Sequence, residues 1–214
     1  MAGRRLGPPR IAVAARDGGS GTVTPTVLHR SAEEIADRID GLVRELADWV
    51  DENTVVVGVL KGCLPFLADL VRRLPVPVEV DFLALTPFVP DSGRVRLTHD
   101  LRIDVEGRSV LLVEGVVDTG FRLDYLRRHL QAHGAAEVRT CALFDRTDRR
   151  VLPLELEYVG FATEASFLVG FGLDHRGDFR NLPAVVEVDL TELDGGDPMV
   201  RERVRSAGRP EVPK

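Results

Sequence analysis

The feature that most limits the fold is a set of apolar runs separated by stretches with helical periodicity. Residues 54–60 and 110–113 are apolar at nearly every position, and residues 138–144 form a third such run. A strand that is apolar throughout is buried on both faces, which is typical of parallel sheets. Helices between such strands cross over and cover the sheet. We therefore predict an α/β domain with a mostly parallel, twisted sheet flanked by helices on both faces.

Local signals place the helices and one hairpin. Ser31 and Glu34 form a capping-box pattern at the start of an amphipathic segment. Residues 121–133 are predicted to form a helix that ends at Gly134. Residues 95–98 alternate apolar and polar side chains, which predicts half of an exposed hairpin.

Composition at the two ends sets the predicted domain limits. Residues 1–24 are rich in Gly, Pro and Arg without a period, and we expect a flexible N-terminal arm. Residues 195–214 also carry many Gly and Pro, which we expect to break any helix, and several arginines. They are predicted to be a flexible basic tail, most simply a solvated one. The folded domain is then expected to span residues 25–194.

Charge and hydropathy exclude some classes of protein. A formal net charge of -6 argues against broad non-specific nucleic-acid binding, which needs a basic surface. Apolar runs of membrane-spanning length are absent, as is a signal-peptide pattern, so we expect a cytoplasmic protein without a membrane span.

Cysteine and histidine usage gives little sign of a metal site. Cys63 and Cys141 lie in apolar surroundings far apart in sequence, so we expect buried free thiols. His129 and His133 have helical i,i+4 spacing, but neither a Cys nor a carboxylate joins them in a zinc-like pattern. We therefore do not expect a structural metal site there.

One turn has the chemistry of an anion site. A buried strand leaves through Glu114 and turns at Asp118-Thr119-Gly120 into a helix. Backbone N–H groups at a helix start bind anions, and Thr119 adds a hydroxyl. Asp118 would lie close enough to act as a base. An Asp before a helix can equally be only an N-cap, and the turn taken alone leaves both interpretations open.

Several further motifs occur in order along residues 27–190, and together they are more specific than any one of them. Their set is Leu60-Lys61-Gly62-Cys63, the turn above, Phe144-Asp145-Arg146, Phe167 to Asp174, and Phe179 to Pro183. This order and spacing resembles the hypoxanthine-guanine phosphoribosyltransferases, which are type I phosphoribosyltransferases. The resemblance implies a small hood and a flap hairpin beside the sheet.

The resemblance also implies an activity, which is transfer of phosphoribosyl from 5-phosphoribosyl-1-pyrophosphate (PRPP) to a 6-oxopurine (hypoxanthine or guanine), with Mg²⁺, in purine salvage. Asp118 would be the catalytic base near purine N7. The implied contacts to PRPP come from Lys61, Gly62, Glu114, Asp118, Thr119, Gly120, Arg122 and Arg180, with a non-proline cis peptide often found at the Lys61-Gly62 loop. Arg146, Phe167 and Leu168 would bind the base, and Asp174 and Glu114 would hold Mg²⁺. Family members self-associate, so a dimer or tetramer is implied.

The sequence departs from the family at several places. Gly115 stands where a second acid usually follows the first, and Arg122 stands where Thr or Ser is usual. Arg122 could add a cation for the phosphate or fill the pocket itself. Arg146 replaces the usual lysine that contacts the base, keeping its charge. Thr86-Pro87-Phe88 replaces the Ser-Tyr of the flap, and residues 162–166 lack the usual Ile-Pro-Asp-Glu.

Plainer interpretations stay open for single residues and for the whole chain. Phe167 could be ordinary core, Asp174 and Arg180 a surface ion pair, and Lys61 a solvated lysine. The departures also motivate a second hypothesis, a regulatory protein that binds PRPP or a nucleotide in the same pocket without turnover.

Overall fold

The computed structural model describes residues 26–87 and 95–209. Its elements, in chain order, are β1 (Val27–Arg30), α1 (Ala32–Leu46), β2 (Thr54–Leu60), α2 (Leu64–Val71), β3 (Glu79–Pro87), β4 (Val95–His99), β5 (Ser109–Val117), α3 (Phe121–Ala132), β6 (Glu137–Arg146), a 3-10 turn (Thr147–Arg149), β7 (Tyr158–Thr163), β8 (Leu168–Val169), β9 (Val185–Glu187), α4 (Leu190–Asp194) and α5 (Pro198–Ala207).

The main sheet has six strands in the order β4-β3-β2-β5-β6-β7. All neighbours pair in parallel except β3 and β4, which form an antiparallel hairpin at the edge. The predicted, mostly parallel α/β sheet with an edge hairpin is therefore confirmed. Because the strands are parallel, the carboxyl ends of β2, β5 and β6 lie at one edge of the sheet, where open α/β sheets bind ligands.

The two faces of the sheet carry different helices. Successive side chains of a strand point to opposite faces, so Val56 packs with α1 and α2 while Val55 and Val57 pack with α3. On the first face Ile35 and Phe66 are fully buried, as is their side of the sheet. This two-sided burial explains why residues 55–59 of β2 and 110–113 of β5 carry no polar side chain.

A second, three-stranded antiparallel sheet has the order β1-β9-β8. With α4 and α5 it forms a small lobe, here called the hood, with its own apolar cluster. The buried members of that cluster are Val169, Phe179, Leu182, Val186, Val188, Leu193, Val200 and Val204. The hood places β8 and the loops around it next to the carboxyl edge of the main sheet.

The start of α1 has the predicted capping box. The Ser31 hydroxyl accepts from the backbone N–H of Glu34 at 3.1 Å, and Ser31 N–H donates to the Glu34 carboxylate at 2.8 Å. These two bonds satisfy donors that a helix N-terminus otherwise leaves unpaired, so the sequence pattern fixes where α1 begins.

The prediction that residues 195–214 form a flexible tail without a helix was wrong for residues 198–207, which form α5. Pro198 occupies the first turn, where its missing N–H costs nothing, and Asp197 caps the helix by accepting from Met199 N–H at 2.8 Å. Val200 and Val204 face the hood and are buried. The domain therefore continues well beyond the predicted limit at residue 194.

Other expectations fall partly outside the described residues. The N-terminal arm, residues 1–24, and Phe88 of the flap segment lie outside residues 26–87 and 95–209. Within those ranges, no helix combines the length and apolar character needed to cross a membrane. Cys63 and Cys141 are buried free thiols, as predicted, and burial raises the pKa of Cys63 to about 12.

A buried carboxylate fixes the base of the hairpin. Asp81 on β3 accepts backbone N–H bonds from Phe82 at 2.8 Å, from Arg102 at 2.6 Å and from Ile103 at 2.9 Å. Burial alone would raise the pKa of Asp81, but these three bonds outweigh it and hold that pKa below its ordinary value.

We expect Asp81→Asn to lower the free energy of unfolding by about 1–3 kcal/mol, because either amide orientation turns an NH₂ group toward a backbone N–H. Asp104→Asn is the control, since among the described residues the exposed Asp104 carboxylate accepts only from Glu106 N–H. Urea unfolding checks both variants.

The same experiment has a pH dependence. A carboxyl with a lowered folded-state pKa stabilises above its unfolded pKa of about 3.9 and loses that contribution as pH falls through the folded value. The free energies of unfolding of wild type and Asp81→Asn should therefore become similar as the pH is lowered. Equal stability of wild type and Asp81→Asn at neutral pH would contradict the assignment.

Candidate functional site

A cavity of about 280 Å³ opens at the carboxyl edge of the main sheet, between β2, β5, β6 and the hood. Most of the residues that the sequence singled out line it, namely Lys61, Gly62, Glu114, Asp118, Arg122, Arg146, Phe167, Leu168, Asp174 and Arg180. These come from segments more than a hundred residues apart. The parallel topology brings them together, as the motif order predicts.

The remaining two, Thr119 and Gly120, line an adjoining cavity of about 310 Å³ that shares Glu114, Asp118 and Arg122 with the first. Gly120 has φ of 92° and is the N-cap residue of α3. That left-handed conformation favours glycine and turns the chain so that the free N–H groups of α3 begin beside this cavity.

Asp118 is not the N-cap of α3, and no side chain caps that helix. The N-cap interpretation of this aspartate is therefore wrong. Its Oδ1 atom is buried and has no hydrogen-bond partner among the described residues. The Nη1 atom of Arg146 lies 3.9 Å from Oδ1, and the Nε atom of Arg149 lies 3.6 Å from it. An acceptor that lies between two arginines and has no donor among the described residues is available to a ligand.

Arg146 is mostly buried at the end of β6 and is oriented by one hydrogen bond from Nη2 to the Ser166 carbonyl at 2.9 Å. Its Nε atom is buried and donates to no described residue. Phe167 lies beside it, partly buried, with its ring edge-on to His175 at 5.8 Å between centroids. Leu168 begins β8 and is buried. This side of the cavity thus offers one unpaired donor, one unpaired acceptor and an aromatic face.

Glu114 on β5 is held by a bidentate ion pair. Arg122 donates from Nε to Oε1 at 3.2 Å and from Nη2 to Oε2 at 3.1 Å. The Glu114 side chain is 3% exposed and the Arg122 side chain is 47% exposed. Burial raises the pKa of Glu114, and Arg122 opposes that shift. The arginine therefore reaches from the mouth of the cavity to neutralise a carboxylate at its floor.

Gly115 is required by close packing. A Cβ atom at residue 115 would lie 2.8 Å from the carbonyl oxygen of Gly62 and 3.1 Å from Cδ2 of Leu173. Gly172 lies against the same carbonyl, since a Cβ atom at residue 172 would be 2.4 Å from that oxygen. The loop at Gly62 thus sits between two positions without side chains. The position of this loop leaves no space for a side chain at residue 115, where the family usually has a second acid.

The loop after β2 carries Lys61, whose peptide bond with Leu60 is cis. The Lys61 side chain is exposed, and no ion pair of the described chain involves it. Across the cavity, Arg180 Nη2 lies 2.5 Å from Asp174 Oδ1, and Arg180 Nη1 donates to the Gly172 carbonyl at 2.7 Å. Asp174 and Arg180 therefore form an ion pair, but this pair lines the cavity and is not an ordinary surface pair.

Sequence reasoning missed three contributors to the site. Arg149 approaches Asp118, and its signal was the run of arginines directly after the Asp145-Arg146 motif. Gly172 and Leu173 shape the floor, and the signal for both was their place inside the Phe167 to Asp174 motif.

Comparison with known proteins agrees with this geometry. The phosphoribosyl transferase domain family matches residues 31–176. The hypoxanthine-guanine phosphoribosyltransferase of Streptococcus mutans is 36% identical over 72% of this chain and 88% of its own length. The bifunctional protein TilS/HprT of Listeria innocua is 38% identical over 72% of this chain, which corresponds to 24% of that longer protein.

A solved structure extends the likeness to three dimensions. The crystal structure of a hypoxanthine-guanine phosphoribosyltransferase from Bacillus anthracis has a TM-score of 0.72 and 32% identity, covering 76% of this chain and 98% of that one. The domain match, the sequence identity and the shared fold agree. The chain therefore belongs to the hypoxanthine-guanine phosphoribosyltransferase family and is a phosphoribosyltransferase.

Proposed function

We propose that this protein transfers the phosphoribosyl group of PRPP to a 6-oxopurine, hypoxanthine or guanine, and releases pyrophosphate, as a step of purine salvage. The observation that carries the proposal is the buried Oδ1 of Asp118, which has no hydrogen-bond partner among the described residues and lies 3.9 Å from Nη1 of Arg146, an arginine whose Nε is also unpaired there. A 6-oxopurine presents adjacent O6 and N7 atoms on one edge. O6 accepts a hydrogen bond, and N7 donates one in the N7–H tautomer of the free base, so this edge can satisfy a donor and an acceptor placed side by side.

On the base side, Arg146 donates to O6 while Asp118 accepts the proton at N7. Phe167 offers its face for stacking, and Leu168 contacts the edge of the ring from the hood. With Nη1 of Arg146 and Oδ1 of Asp118 3.9 Å apart, the two groups can contact O6 and N7 side by side. Arg149 places a second positive charge beside Asp118, with its Nε atom 3.6 Å from Oδ1.

On the sugar side, the backbone N–H groups of Thr119 and Gly120 and the start of α3 bind the 5′-phosphate. The positive end of the helix dipole points at this cavity. Arg122 lines both cavities and adds a cation at the same place. To do so, Arg122 turns from Glu114 toward the phosphate. The Glu114 carboxylate is then free to bind the ribose hydroxyls.

Lys61, Gly62 and Arg180 bind the pyrophosphate of PRPP. Mg²⁺ is a hard cation that takes one or two carboxylates together with substrate phosphates and water. The Asp174 carboxylate suits that donor set, with Glu114 the second candidate once Arg122 has turned away. When bound, the ion would neutralise charge on the leaving pyrophosphate.

The reaction then needs mainly placement and charge stabilisation. The bond from the base nitrogen to C1 of the ribose forms as the bond from C1 to the pyrophosphate oxygen breaks, and the base loses its proton toward Asp118. The transition state is oxocarbenium-like. Cations at Lys61, Arg122 and Arg180 take up the negative charge of the phosphates around it.

Location and assembly remain proposals that follow from the family. We propose a cytoplasmic protein that self-associates as a dimer or tetramer. Exposed apolar side chains that a subunit contact could cover include Leu64, Val80, Phe121 and Tyr125. Sedimentation of the full chain gives the subunit number directly.

Asp118→Ala should lower nucleotide formation by roughly 10²- to 10⁴-fold, because the variant loses the proton acceptor. The assay mixes protein, Mg²⁺ and PRPP with hypoxanthine, guanine or xanthine in turn and detects the nucleotide. Asp124→Ala is the control, since Asp124 lies on the first turn of α3 but pairs outward with Arg128 at 2.9 Å.

Two outcomes would count against the proposal. An Asp118→Ala variant as active as wild type would remove Asp118 from catalysis. A wild-type protein that forms no nucleotide from any base, yet binds PRPP or a nucleotide saturably, would favour the regulatory hypothesis.

Arg122→Ala should raise the KM for PRPP by roughly 10- to 100-fold while leaving the KM for the base unchanged, because a charged hydrogen bond to the phosphate is lost. Arg128→Ala on the exposed face of the same helix is the control. Initial rates at varied PRPP and fixed base measure the effect. If the KM for PRPP does not change, Arg122 serves Glu114 alone.

Gly115→Ala should lower the free energy of unfolding by about 1–3 kcal/mol and also raise the KM for PRPP, because its Cβ overpacks against the Gly62 carbonyl. Gly41→Ala is the control, since only the flexible Arg38 side chain crowds that helical site. Gly115→Asp, which restores the acid usual in the family, should not improve turnover. A more active and equally stable Gly115→Asp would refute the steric account.

A further inference from the structure

A cluster of side chains outside both cavities joins the end of β4 to the last turn of α3. It consists of Asp100, His129 and His133, which offer one carboxylate oxygen and two imidazole nitrogens within 4.8 Å of one another. The expectation that no carboxylate joins the two histidines was wrong. Asp100 precedes His129 by 29 residues and reaches it only through the fold.

The hydrogen bond of His133 fixes which of its nitrogens is free. Its Nδ1 atom lies 2.8 Å from the backbone carbonyl of His129. A carbonyl oxygen can only accept, so Nδ1 carries the proton and the neutral ring has its lone pair on Nε2. A backbone carbonyl holding the opposite ring nitrogen is the usual support of a metal-binding histidine.

The His129 imidazole and the Asp100 carboxylate already point toward each other, as two side chains that bind one metal ion would. The Nε2 atom of His129 lies 2.7 Å from Oδ1 of Asp100. That oxygen also accepts from Leu101 N–H at 2.8 Å, which orients the carboxylate and leaves Oδ2 without a donor from the described residues. The ring of Tyr125 stacks on the His129 ring at 6.2 Å, with 17° between the planes, and restrains its rotation.

The spacing suits an ion of the size and coordination of zinc. Bonds of about 2.0–2.1 Å in a tetrahedral site put the ligand atoms about 3.3 Å apart. The 2.7 Å pair would open slightly, and the Nε2 of His133 would move inward. The imidazole centroids of His129 and His133 are only 4.3 Å apart, and Asp100 and His133 are exposed, so a side-chain rotation achieves this.

We propose that Asp100, His129 and His133 form a binding site for a divalent transition metal ion, with Zn²⁺ as the ligand. Two imidazoles and a carboxylate match the preference of Zn²⁺, whereas Mg²⁺ prefers oxygen ligands alone. Three protein ligands leave a fourth position for water. The ion replaces the proton between His129 Nε2 and the Asp100 carboxylate.

The position of the site gives the ion a structural effect. Asp100 directly follows β4, the edge strand of the hairpin, while α3 begins at the turn that lines the second cavity. The ion therefore links the end of β4 to the last turn of α3. An ion that binds only the folded chain also stabilises it by mass action.

The test is a titration of the full-length, metal-stripped protein with Co²⁺, followed by its visible spectrum, and with Zn²⁺, followed by calorimetry. Both are carried out without Mg²⁺ or PRPP. We expect a single ion per chain and a rise in melting temperature with Zn²⁺. His133→Ala should weaken binding by at least about tenfold and lose the rise in melting temperature, because one imidazole ligand is removed.

His175→Gln is the matched control, because His175 Nε2 and Asp194 Oδ1 also lie 2.7 Å apart. That pair has no second imidazole within the described chain to complete a site. His175→Gln should bind Zn²⁺ as wild type does. Asp100→Asn provides a second ligand variant, and circular dichroism checks that each variant is folded.

The proposal is overturned if wild type binds no ion, or if His133→Ala and Asp100→Asn bind as tightly as wild type. It is also overturned if His175→Gln loses binding to the same extent. Binding is measured without substrate, so these outcomes are independent of whether the protein forms nucleotides.

Discussion

The carbonyl of Gly62 packed between Gly115 and Gly172 is the contact on which the geometry of the cavity depends. Side chains at either glycine would come within 2.8 Å of that oxygen or closer. One contact therefore joins the loop after β2, the end of β5 and the segment after β8. It sets the distance from Lys61 to Asp174 and Arg180 across the cavity. Interiors are packed too densely to absorb an added methyl group there, so the absence of the second acid follows from the same contact.

The ion pairs of the site form a second layer of constraint. The Glu114 side chain is almost fully buried. Removing a charge from water costs free energy, and attraction to an oppositely charged partner must offset that cost. Arg122 compensates Glu114, just as Arg180 compensates Asp174. Asp118 differs, because its buried oxygen keeps no hydrogen bond although two arginines stand nearby. The acids Glu114 and Asp174 are thus each paired with an arginine, whereas Oδ1 of Asp118 is left without a donor among the described residues.

The sequence predicted what depends on local pattern or on motifs in order. The apolar runs gave the buried strands, and Ser31 with Glu34 gave the start of α1, because these signals act within one element. The motif order located the lining of the cavity. The α5 helix was missed because Gly and Pro were counted without noting that Asp197-Pro198 is a helix start. The carboxylate beside His129 was missed because only the fold brings Asp100 there, and no pattern within α3 encodes it.

In the function that we propose, the binding of PRPP and the binding of Mg²⁺ are coupled. Asp174 is satisfied by Arg180, and Glu114 by Arg122, so each acid can turn to Mg²⁺ or to ribose only as its arginine finds another anion. The phosphates of PRPP supply that anion to both arginines at once. Bound PRPP therefore raises the affinity for Mg²⁺, and bound Mg²⁺ raises the affinity for PRPP by the same factor, as thermodynamic linkage requires. Under that proposal, Arg122 would give this chain a coupling that Thr or Ser, the usual residues of the family, could not provide, because neither can neutralise Glu114.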